Sequence, residues 1–217
     1  MAVDSVRRLS ERGVQQQLPF ERNTQFDLVE EDSVTAIDLI GNTDIGPYPF
    51  VNQARRYWSF EFTTDPMFGS PKSVSGVLEV REGSGFVFLI LDQDTPKPDT
   101  IFSELRDSTQ TDFPIETDFS PTYKSVCDFI RSSSSIVKVD SPTSRNPKER
   151  IQQGENIPVE VARLRFEHEE SHSITYSDAQ LSIPIDTEEG ALVESVAREY
   201  SFREYVVQKF ESAFTQE

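Results

Sequence analysis

The chain has 217 residues, 38 Asp plus Glu against 21 Lys plus Arg, a net charge of -17 and a mean hydropathy of -0.50. That length suits one domain with an appendage, and sixteen Phe supply a core that a wholly disordered chain would lack. One cysteine excludes an intramolecular disulfide framework, and no apolar run exceeds six residues, which argues against a signal peptide or a membrane-spanning helix.

Only six of the 21 cations are lysines. A carboxylate excess with few lysines is the composition expected of a protein that folds in very high salt, where screening removes its self-repulsion. The expectation is a soluble, cytoplasmic and halophilic protein. The acidity also argues against nucleic acid as a partner and favours a protein partner or self-association.

In chain order, residues 1–25 carry an amphipathic stretch around Val6 to Val14 and read as a short helix or loose arm. Residues 26–217 read as one α+β domain. Its first part, residues 26–46, holds six acids and no base, with a β-rich run from Val34 to Ile40 ended by Gly41-Asn42. Tyr57 to Phe62 alternates, setting Trp58, Phe60 and Phe62 on one face of a half-buried strand. Val74 to Arg81 and the apolar hexapeptide Phe86 to Leu91 flank Glu82-Gly83-Ser84-Gly85 and predict a hairpin whose second strand is covered on both faces.

Asp99 can cap a helix through Arg106 that turns Ile101, Phe102 and Leu105 inward. Residues 107–119 read as a loop pinned by Phe113, Ile115 and Phe119. Ser120-Pro121 predicts a helix start, with Tyr123, Val126, Cys127 and Ile130 on one buried face. A short strand Ile136 to Val139 leads into residues 140–156, a Pro- and Gly-containing stretch expected to be a mobile surface loop. Val159 to His168 and His172 to Ser177 predict two strands joined at Glu169-Glu170-Ser171. Thr187 can cap a helix over 188–200. A second helical stripe of Phe202, Tyr205, Val206, Phe210 and Phe214 closes the domain's own sheet or docks on another subunit. The sum is a mainly antiparallel sheet of about six or seven strands with two or three helices packed on one face.

Two short motifs could carry chemistry. His168-Glu169-Glu170-Ser171-His172 matches H-E-x-x-H and over those five residues resembles the zincin metallopeptidases. That resemblance implies zinc held by His168 and His172 with Glu169 activating water, and it requires a helix. Glu170 stands where the family has an apolar residue, and the flanks alternate as strands. Asp92-Gln93-Asp94 leaves the apolar hexapeptide and resembles the first motif of haloacid-dehalogenase-type phosphatases, which implies Mg²⁺ on Asp92 and Asp94. Here Pro96 takes the threonine's place.

Arg55-Arg56-Tyr57-Trp58 mixes cations and aromatics as single-strand binders do, with Trp58 on the face expected inside. Gly83-Ser84-Gly85 enters a strand and so reads as a turn rather than a phosphate loop. No complete catalytic constellation emerges. The reading is a non-enzymatic binding or assembly protein needing no cofactor, with a divalent-metal hydrolase acting through Asp92 and Asp94, or through His168, Glu169 and His172, as the alternative.

Overall fold

The computed structural model describes residues 2–9, 26–41, 47–64, 72–91, 98–108, 115–117, 119–177, 180–184 and 201–215. Within them nine strands form one antiparallel sheet: β1 (Ala2–Arg8), β2 (Phe26–Thr35), β3 (Ala54–Thr64), β4 (Lys72–Arg81), β5 (Phe86–Leu91), β6 (Ser135–Asp140), β7 (Val161–His168), β8 (Glu170–Ser177) and β9 (Gln180–Ile183). Four helices accompany it: α1 (Pro98–Ser108), α2 (Tyr123–Arg131), α3 (Pro147–Gln152) and α4 (Ser201–Phe214). The strand order is β2-β3-β4-β5-β1-β9-β8-β7-β6. The sheet is therefore larger than its local sequence patterns imply. Among the described residues no helix is long and apolar enough to cross a membrane.

The first correction concerns β1. The stretch expected to be a helix or loose arm contributes a strand near the middle of the sheet, with Val6 opposite Phe88 of β5 and Asp4 opposite both Ile90 and Leu181 of β9. Val6 is fully buried. Pairing on both edges overrides the helical spacing, because each strand residue gains a ladder that an exposed helix would lack.

The hexapeptide of β5 is buried along its whole length, as its composition predicts. Alternation sends its side chains to two cores. Val87, Leu89 and Leu91 pack with Trp58, Phe60 and Leu78, under Ile101, Phe102 and Leu105 of α1. Phe86 and Phe88 face the other way, into a core shared with Phe129 of α2, Phe166 of β7 and Phe210 of α4. Helices thus cover both faces rather than one.

Gly76 on β4 shows how close the packing is: a Cβ there would lie 2.3 Å from the Ile90 carbonyl oxygen and 2.9 Å from the Phe60 ring.

Local differences have local causes. The strand expected over Val34 to Ile40 ends at Thr35; Ala36 instead exchanges backbone hydrogen bonds with Gln53 and Asn52. Helix α2 is capped by Thr122, whose Oγ1 accepts from Ser125 N at 3.2 Å, so Tyr123 sits in the first turn and is 58% exposed. Val126, Cys127, Phe129 and Ile130 form its buried face. Residues 140–156 contain α3, whose Ile151 is fully buried in the main core, so one apolar anchor fixes what reads as a loop. Phe113 and the helix expected over 188–200 lie outside the described residues.

Candidate functional site: a buried charge cluster and an open sheet edge

Helix α4 is apolar on one side, as its Phe202-Val206-Phe210-Phe214 stripe predicts, and it closes the chain's own sheet. Phe210 contacts the rings of Phe86, Phe88, Phe119, Phe129 and Phe214 at centroid distances of 4.2 to 6.2 Å. Its other side is buried too. Arg203, Glu204, Gln208 and Glu211 face a matching set, Arg55 on β3 with Glu79 and Arg81 on β4.

The cluster is nearly closed on itself. Arg81 Nε donates to Glu79 at 2.8 Å and Arg203 Nη1 to the other Glu79 oxygen at 2.7 Å. Arg81 also bonds Glu211 at 2.7 Å and pairs with Glu204, which Arg55 reaches at 2.7 Å. Gln208 donates to Glu204 at 2.7 Å, and Tyr48, Ser84 and Gln53 all donate to Glu211. Gln53 Oε1 in turn accepts from the backbone of Gly83 and Ser84 at 3.0 and 2.9 Å, so the Gly-Ser-Gly turn is a tie point for the helix. Three guanidiniums meet three carboxylates, which removes the cost of an isolated buried charge.

Burial works against the Glu79 charge, but Arg203, Arg81 and Arg55 pull its carboxyl down to about 2. Burial dominates at Glu211 and raises it, and burial with Glu211 alongside raises the Tyr48 phenol. Burial also disfavours the Arg81 charge, yet Glu204, Glu211 and Glu79 more than restore it. Within the cluster the buried Arg55 Nε is left without a hydrogen-bond partner, and the remaining guanidinium–carboxylate contacts tie α4 to the sheet.

The sequence motifs fall as follows. His168 ends β7, Glu170 begins β8, and Glu169 between them has φ 53°, so the five residues form a hairpin tip and the i, i+4 helical spacing of a zincin does not arise. His168 stacks on Tyr205 at 4.6 Å, His172 meets Phe202 edge-on at 4.9 Å, and Ser201 donates to Glu169 at 3.2 Å. The imidazoles buttress the start of α4. Asp92 and Asp94 lie outside the described residues. Among the described residues no three His, Cys, Asp or Glu side chains are grouped as metal ligands would be. Arg55, Tyr57 and Trp58 are buried, so they form no stacking platform for bases.

Among the described residues the sheet ends in β2 on one side and β6 on the other. β6 is an edge strand with a register irregularity between Ile136 and Lys138, and Val137 within it is 49% exposed. Beside it runs a groove of about 500 Å³, formed by Val137, Lys138 and Val139 with Asn146, Pro147, Lys148, Glu149 and Gln152 of the α3 region. Neither the expected strand nor the expected loop hinted at it, because the groove exists only once Ile151 pins α3. The chain matches no protein-family model, and no curated protein matches its sequence.

Proposed function

We propose that this chain is a non-enzymatic binding protein of a high-salt cytosol and that it engages a protein partner along the free edge of β6. The observation that carries the reading is a strand that ends the sheet among the described residues with a groove beside it. Edge strands present main-chain donors and acceptors to any extended segment that approaches, and the shortness of β6, its Lys138 and its irregularity after Ile136 limit that pairing to a short segment. The internal neutralisation of the α4 charge cluster supports a scaffold rather than a catalyst, since its carboxylates and guanidiniums answer one another. The acid excess supports the saline setting.

The test is photo-crosslinking in native extract at native salt, with a benzophenone amino acid placed at Val137 and, as control, at the exposed Tyr123. A discrete adduct from position 137 that is missing from position 123 supports the reading. Equal labelling from both, or none from 137, refutes it.

A further inference from the structure

Resting on that reading, we infer that the β6 groove takes a short, acidic, extended segment of a partner protein as a tenth strand. The argument begins with charge. Between residues 135 and 165 six cations stand against four carboxylates, in a chain whose whole balance is 21 to 38. Lys138 on β6 lies directly opposite Arg163 on β7, and both are exposed. Like charges facing each other across an antiparallel pair are destabilising unless something neutralises them. Asp140 answers Lys138 at 2.7 Å. Arg163, Arg165, Arg145 and Lys148 form no ion pair among the described residues; Lys148 lines the groove, and so does Glu149, which forms none either. Where acids outnumber bases so heavily, four such cations against two such carboxylates, Glu149 and Glu160, leave a local positive excess around one sheet edge for anions brought by something else.

Backbone geometry narrows the anion to a strand. A segment laid along β6 would hydrogen-bond through its main chain and present side chains alternately to the two faces of the sheet. On the Lys138 and Arg163 face, carboxylates meet the cations. On the other, small apolar side chains reach the strip of Val139 and Pro147 that lines the groove. The irregularity between Ile136 and Lys138 stops regular pairing at one end, so the segment is short and open-ended stacking of sheets is blocked.

The experiment measures binding of a fluorescein-labelled eight-residue peptide alternating glutamate and valine, by anisotropy, in the lowest salt at which circular dichroism shows the full chain folded. Two comparison peptides alternate lysine with valine, or carry N-methyl groups on every second glutamate–valine amide. The inference expects saturable binding of the first alone, with slowed amide exchange at residues 136–140. It also expects a loss of at least about tenfold in affinity for the double substitution Lys138→Glu with Arg163→Glu, whose exposed positions leave the fold intact.

No saturation below about 1 mM, equal binding of the lysine or N-methylated peptide, or retention of affinity by the double variant overturns it. So does preferential binding of a thymidine oligonucleotide at the same edge, or concentration-dependent dimerisation through β6. A crosslink at Val137 that persists while the acidic peptide fails removes the partner's chemistry and keeps the edge. Loss of both removes the edge as well.

Discussion

Arg203 of α4 and Glu79 of β4 meet at 2.7 Å with neither side chain exposed to solvent, so the helix is attached to the sheet by a charge pair that water does not reach. Removing the Glu79 charge takes a carboxylate from both Arg203 and Arg81 in a place that water does not reach. Glu79→Gln is expected to lower unfolding free energy by about 3–5 kcal/mol near neutral pH. The carboxyl titrates at about 2 in the folded state against an ordinary 4.5, so the stability it contributes is complete above 4.5 and disappears as pH falls toward 2. Urea unfolding at pH 7 and pH 2 should show the gap between wild type and variant closing at the acid end.

Glu211 runs the other way. Burial raises its folded-state carboxyl above 4.5, so its contribution is greatest below that pH and declines as pH rises through the folded-state value. Glu211→Gln keeps an acceptor for either Tyr48 or Ser84, which donate to different carboxylate oxygens, and sheds the buried charge. It is expected to cost less than Glu79→Gln at pH 7, by the same urea measurement.

Gly76→Ala tests the closest approach in the sheet. Its methyl would meet the Ile90 carbonyl oxygen, a backbone atom that cannot swing aside. A loss of about 3 kcal/mol is expected, seen calorimetrically as a fall of about 8 °C in Tm.

The C-terminal helix is a core element. Truncation after Tyr200 should give insoluble chain, and Phe210→Ala, deleting the ring at the centre of the aromatic cluster, should cost about 3–5 kcal/mol in chemical denaturation. A folded monomer from the truncation would contradict the packing of α4.

Cys127 is fully buried, with its sulfur 3.5 Å from the Ile157 carbonyl oxygen and 3.4 Å from the Ile157 nitrogen. Burial raises its thiol pKa. Ellman's reagent should therefore react only at the rate of unfolding, and immediate reaction of native protein would contradict this placement.

How much of this was legible in the sequence depends on whether the deciding interaction is local. The β4–β5 and β7–β8 hairpins could be read because turn residues and alternating side chains act over a few positions. Trp58, Phe60 and Phe62 shared a face for the same reason, and the alternation around His168 already argued against a helical zinc site. β1 could not be read: its partners Phe88 and Leu181 lie far along the chain, and its own pattern suits an arm. Nor could the charge cluster. Glu204, Gln208 and Glu211 follow helical spacing, and Glu79 and Arg81 share a strand face, so each set alone looks solvated. Only their juxtaposition puts both inside. The groove at β6 depends on Ile151 in the same way, one apolar side chain in a polar stretch.

The central position of β1 also bears on how the protein is made. β1 is bounded by β5 on one side and by β9, formed by residues 180–183, on the other. During synthesis it leaves the ribosome with both edges bare, and at about 5–20 residues per second the wait for β9 is on the order of ten seconds. Completion of the sheet is thus a late, long-range closure that joins the two halves, and the nascent chain needs shelter from wrong pairings until then.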